Sequence, residues 1–142
     1  MSRRRYLGRM SGPLLDRIDI QLRVQRITSA HMRLATETPA LTTAEARARV
    51  IEARALAAER LADTPWSLNS HVPGAWLRGQ GMRLPVATTA SIDRALERGG
   101  ITMRGYDRVL RVGWSLADLD GAARPTADHI GRALYLRKAL SS

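Results

Sequence analysis

Cysteine is missing from all 142 residues, so disulfide frameworks, thiolate metal sites and thiol catalysis are excluded together. That absence fits a reducing, cytoplasmic setting. Phenylalanine is missing as well, and three Trp and three Tyr supply all the aromatic side chains. A core must therefore be built from Leu, Ile, Val and Ala, a composition that suits packed helices. No apolar run is long enough for a secretory signal or a membrane span, so the expectation is a soluble chain without a membrane partner. The common enzyme signatures are absent too: no GxxxxGK[ST], no GxGxxG, no GxSxG and no HExxH occurs. His31, His71 and His129 lie far apart without ligand-like spacing, and each reads as solvated or locally hydrogen-bonded.

What is abundant is positive charge. The formal net charge is +10, carried almost wholly by arginine, and such an excess raises a nucleic-acid reading through phosphate neutralisation and counterion release. The distribution argues the other way. Basic residues cluster once, at Arg3, Arg4, Arg5 and Arg9, and elsewhere they alternate with Glu and Asp along helical stretches. A solvated helix face explains them better than a duplex-binding surface, with DNA contact retained as a minority reading. Hydrophobic residues at 44% and charged residues at 25% give the balance of a folded domain, and the length admits one domain of ordinary size.

Along the chain, Ser11, Gly12 and Pro13 form a turn or helix start. Ile18, Ile20, Leu22 and Val24 then alternate with polar residues, which predicts a half-buried strand. A single strand has no ladder partner, so its sheet is expected outside these residues. Thr36 to Pro39 reads as linker. Thr42 with Glu45 makes a capping box, and Ala46, Val50, Ala53, Ala57 and Leu61 recur at helical spacing, predicting a helix from about residue 43 to about residue 62. After an irregular stretch rich in Pro and Gly, with a short helical turn around residues 75–78, a helix is predicted over 89–98 and ended by Gly99 and Gly100. Thr102 starts another, whose stripe is Tyr106, Val109, Leu110, Gly113, Leu116 and Ala117, and Gly121 ends it. Pro125 and Thr126 open the last helix, with Ile130, Ala133, Leu134 and Arg137 on one side.

Two segments carry a family resemblance. SGPLLDRIDI, residues 11–20, resembles the element before the last core strand of magnesium-chelatase-like AAA+ ATPases, and most closely their ComM/YifB branch. TMRGYDRVLRV, residues 102–112, resembles the sensor-2 helix of the same family, which Ser115 to Leu119 continue. Trp114 stands where the family often has Arg, and Asn69-Ser70 resembles its Asn-Ala turn. The resemblance runs from about Tyr6 to about Lys138.

Fold and function follow as expectations. The resemblance implies a mainly α chain: a helical-bundle AAA+ lid domain over residues 42–142, preceded by a short segment and one strand left over from the α/β ATPase core over residues 1–26, expected to be poorly ordered or loosely attached, and a linker over 27–41. It implies that Arg17 is an arginine finger acting in trans, that Arg104 is the sensor-2 residue at the nucleotide, and that Arg111 is a further candidate beside it. ATP and Mg belong to a longer parent ATPase, the isolated chain being expected to bind ATP weakly if at all and to be inactive without a phosphate-binding loop. Partners would be neighbouring subunits of a homo-hexameric ring and, in a ComM-like DNA-remodelling helicase, DNA. The alternatives are the ATPase subunit of magnesium chelatase, which inserts Mg into a porphyrin, and a small basic nucleic-acid-binding module unrelated to ATP. Read from the residues alone, Arg17 would pair with Asp16 or Asp19, Arg104 would be a solvated first-turn charge, and Arg108 and Arg111 would be solvated or pair with Asp107 or Asp118.

Overall fold

The computed structural model describes residues 12–22, 24, 26–29, 31–33, 40–79 and 81–138. The basic cluster at residues 3–9 and the linker at 36–39 lie outside them. Helices with defined bounds are α1 (Gly12–Leu15), α2 (Thr43–Arg60), α3 (Gly74–Leu77), α4 (Val86–Glu97), α5 (Met103–Leu119) and α6 (Ala127–Lys138), with a 3₁₀ turn at Asn69–His71. The helical expectation holds.

Helix α5 organises the rest. Its apolar positions fall at the spacing that builds one buried face, and Tyr106, Val109, Leu110, Val112, Gly113, Trp114 and Ala117 are all buried. Helix α6, α2, the 3₁₀ turn and α3 all pack against it, and α4 packs mainly against α6. Leu61, Val72, Leu77, Ile92, Val109 and Ile130 are almost completely enclosed in the resulting core, each contributing roughly 1.5–3 kcal/mol relative to exposure.

Local chemistry sets the ends of these helices. Thr42 Oγ1 accepts the Glu45 N–H at 3.2 Å while Glu45 Oε2 accepts the Thr42 N–H at 2.8 Å, the reciprocal pairing that satisfies orphan donors at a helix start. Donation by the Thr42 hydroxyl to Glu45 Oε2 at 2.7 Å, followed by that of the Thr42 N–H, holds the Glu45 carboxyl below its ordinary pKa. The predicted stripe of α2 is buried only at its C-terminal end: Ala57 and the following Leu61 are enclosed, whereas Val50 is 44% exposed. At the other ends, Gly99 (φ +67°) and Gly121 (φ +66°) take the left-handed conformation. In each case two backbone N–H groups fold back onto the last helical carbonyls, Gly99 to Leu96 and Gly100 to Ala95, and Gly121 to Asp118 and Ala122 to Ala117.

The strand expected over residues 18–24 is not formed among the described residues. Alternation alone does not supply a ladder partner, and this segment satisfies its backbone otherwise. The Gln21 N–H donates to the Leu136 carbonyl at 2.8 Å, and the Ile18 carbonyl accepts from Arg137 at 2.9 Å. Burial is inverted with respect to the pattern, since Gln21 is buried while Ile20, Leu22 and Val24 are exposed. Residues 16–21 thus lie as an irregular turn against α5 and α6.

Candidate functional site

Arg104, Asp107, Arg108 and Arg111 follow one another on α5 at the i, i+3, i+4, i+7 spacing that puts side chains on one helix face. Arg104 is the second residue of the helix, after the cap Thr102, whose Oγ1 accepts the Gly105 N–H at 3.0 Å. A helix start carries unsatisfied N–H groups and the positive end of the macrodipole, so negative charge is favoured there. Arg17 reaches the same place from the turn that follows α1. Together Arg17, Arg104, Asp107, Arg108 and Arg111 line an open hollow of about 580 Å³.

The cations in this hollow are not equivalent. Arg108 forms an ion pair with Asp19, and Arg111 Nε donates to the Val72 carbonyl at 2.9 Å. The single acid, Asp107, is engaged by Arg78. Asp16 is taken by Arg137 at 2.5 Å and accepts from Thr102 Oγ1 at 3.3 Å. None of the expected pairings of Arg17 with Asp16 or Asp19, or of Arg108 and Arg111 with Asp107 or Asp118, is made. Arg17 and Arg104 are both exposed, and among the described residues neither guanidinium has a hydrogen-bond or ion-pair partner.

Electrostatics point the same way. Burial pushes the Arg108 pKa below its ordinary value, and the Arg111, Arg137 and Arg17 guanidiniums add to the shift, while Asp16 opposes it. Arginine remains charged despite such a shift, so the lowering marks first the cost of burying that charge and second the repulsion from neighbouring cations. An anion entering the hollow would relieve it, and planar guanidiniums suit phosphate oxygens.

Several residues singled out in the sequence have other duties. Trp114 is enclosed in the core at 2% exposure, so this departure from the family pattern lies away from the hollow. Asn69 is buried in a polar knot, its Nδ2 donating to Asp118 Oδ2 at 2.7 Å and Ser115 Oγ at 3.1 Å, while Arg60 donates to its Oδ1 at 2.8 Å. His129 Nδ1 accepts the Thr126 N–H at 3.0 Å and its Nε2 lies 3.1 Å from Asp120 Oδ2, which caps α6. With Arg132, it holds the Asp120 carboxyl below its usual pKa. Among the described residues no group of His, Cys, Asp and Glu is arranged to hold a metal ion, and no helix is long and apolar enough to cross a membrane. Sequence reasoning gave Arg60 and Arg137 no structural or site role, because Asp118 and the residues flanking Arg17 lie far from them along the chain.

The family described as magnesium chelatase, subunit ChlI C-terminal, matches residues 40–137. The chain belongs to that family. Residues 1–32 match the family described as magnesium chelatase, subunit ChlI, so the match divides close to the point where the helical bundle begins. An uncharacterised protein of Mycobacterium tuberculosis is 39% identical over 137 residues, covering 96% of this chain and 26% of that protein. Competence protein ComM of Haemophilus influenzae is 30% identical over 133 residues, 94% of this chain and 25% of ComM. YifB of Escherichia coli, an uncharacterised protein, is 29% identical with the same coverage. The chain spans about a quarter of the length of these relatives. No solved structure matches it.

Proposed function

We propose that this member of the magnesium chelatase family is the closing part of an AAA+ ATPase and delivers two arginines to bound ATP, Arg17 as an arginine finger and Arg104 as the sensor-2 residue. One observation carries the reading: two unpaired guanidiniums, far apart in sequence, meet at one hollow in which the other cations are already engaged. A phosphoryl group passing to water spreads negative charge over its oxygens, and a positioned guanidinium is worth about 10³–10⁵ in rate. Arg104, at the start of α5, adds the helix dipole to its own charge. Arg111, tied to the Val72 carbonyl, contributes positive potential and not a contact. The residues fit phosphate; the Mg²⁺ that accompanies ATP would take its ligands from other parts of the ATPase.

The parent is proposed to be a cytoplasmic, homo-hexameric motor of the ComM type that remodels DNA, each ring neighbour receiving Arg17 from the next. The relationship to ComM over nearly the whole chain supports this. The family's description by magnesium chelatase supports the second reading, a ring that drives Mg insertion into a porphyrin. DNA-stimulated hydrolysis separates the two.

Substitution in the ATPase that contains this chain tests the site. Arg17→Ala lowers kcat by about 10³-fold or more with ATP binding nearly intact, since the lost interaction is made in the transition state. Arg104→Ala weakens ATP binding as well as turnover. Hydrolysis by Arg17→Ala at the unsubstituted rate would remove the finger assignment.

A further inference from the structure

Arg137 on α6 is an arginine with 9% of its side chain exposed, and among the described residues its guanidinium hydrogen bonds go to Asp16 and Ile18, the residues on either side of Arg17. One amino group donates to the Ile18 carbonyl at 2.9 Å. The other donates to the Asp16 carboxylate at 2.5 Å and to the Asp16 carbonyl at 3.3 Å. A single fork therefore grips the chain immediately before and after Arg17 and leaves that side chain facing the hollow. The route of Arg137 to the turn passes over the first turn of α5, and Gly105 keeps it open: a Cβ on Gly105 would stand 2.9 Å from Arg137 Nε and 3.3 Å from one of its amino groups. Thr102, the cap of α5, joins the same Asp16 carboxylate, Arg108 holds Asp19, and the Leu136 carbonyl holds the Gln21 N–H.

We infer that Arg137 is a positioning residue for Arg17. It does not touch the nucleotide; it fixes the finger turn to the same rigid helices that carry Arg104, so that both guanidiniums are presented together. Lysine cannot replace it, because one ammonium cannot reproduce a planar fork bonded to two carbonyls and a carboxylate. The inference rests on the finger reading of Arg17 for its catalytic consequence and on geometry alone for the clamp.

Two measurements test these parts separately. In the chain itself, Arg137→Met should accelerate amide hydrogen exchange at Arg17 and Gln21, the hydrogen-bonded N–H groups within residues 17–21, by roughly tenfold or more, while Val109 and Leu110 in α5 keep their protection, as expected when one local unit opens. Unchanged exchange at Arg17 and Gln21 overturns the clamp. In the parent ATPase, Arg137→Met and Arg137→Lys should each lower kcat by about 10- to 10²-fold, the scale of a small misplacement of a catalytic group, with KM for ATP little altered. In an Arg17→Ala background, Arg137→Met should cost nothing further, since residues acting as one unit are not additive. An equal further loss there, or full activity of Arg137→Lys, overturns the positioning role. Should Arg17→Ala alone hydrolyse ATP normally, the finger reading fails, and exchange at Arg17 and Gln21 still decides whether Arg137 holds the turn.

Discussion

Arg60 lies over the Trp114 ring with its guanidinium carbon 4.4 Å from the ring centroid, and its two amino groups meet Asp118 at 2.5 and 2.9 Å. Asp118 is 2% exposed at its side chain and Arg60 18%, so removing the arginine strands a carboxylate in the core with only the Asn69 amide for compensation. Arg60→Met should destabilise the chain by about 2–3 kcal/mol, slightly under the usual cost of breaking a buried pair because Asn69 remains. Urea unfolding checks it, and a loss close to zero would show that the pair is no better than a surface one. Arg132→Met, which removes an exposed partner of Asp120, should leave the midpoint nearly unchanged. Tyr106 offers a titration. Burial and its 2.8 Å hydrogen bond to Asp93 raise the Tyr106 pKa to about 12. A folded value above the unfolded one of about 10 means that this stabilisation is complete below about pH 10 and is lost as pH rises through about 12. Tyr106→Phe should flatten stability across that window, and the tyrosinate absorbance assigned by difference should appear near the upper end.

Between elements, α5 and α6 approach closely at Gly113. A Cβ on Gly113 would lie 2.6 Å from Ile130 Cδ1, and Ile130 is fully enclosed at 0% exposure, so its methyl has nowhere to retreat. Overpacking of this kind costs about 1–3 kcal/mol, against a helix-propensity gain of at most about 1 kcal/mol for glycine to alanine. Gly113→Ala is therefore expected to destabilise. Gly131→Ala, on α6 with nothing within 4 Å of the added carbon, should stabilise by about 0.5–1 kcal/mol. Opposite signs in thermal unfolding are the check, and equal shifts would mean that the interface has slack. At this scale local signals were readable: the Thr42 and Glu45 box, the Thr102 cap and the glycine stops each act within a few residues. No strand forms over residues 18–24 among the described residues, in keeping with a segment whose sheet is expected outside this chain, because alternation reports a two-sided environment and pairing still needs a second strand.

For the molecule as a whole, the hollow supplies two free guanidiniums and a helix start, and among the described residues no group of His, Asp and Glu is placed to hold a metal ion. The chain alone is expected to bind ATP weakly and to hydrolyse none. Titration calorimetry giving micromolar affinity would show that the lid forms a site by itself. In mixed rings of the proposed ATPase, a phosphate-loop variant that still donates Arg17 should restore part of the turnover of Arg17→Ala subunits. No rescue would place Arg17 in its own subunit's site.

Composition, caps and helical periodicity determined that residues 42–138 would be mainly helical and where most helices would start and stop, because those preferences act over one or two turns. The spacing of Arg104, Asp107, Arg108 and Arg111 on one face was readable for the same reason. Which of those cations would stay free was not. That depends on partners brought from elsewhere in the chain: Asp19 to Arg108, Val72 to Arg111 and Arg78 to Asp107. Only the packing of α6 against α5 brings Arg137 to the turn bearing Arg17, and no local pattern encodes a contact between groups so distant in sequence.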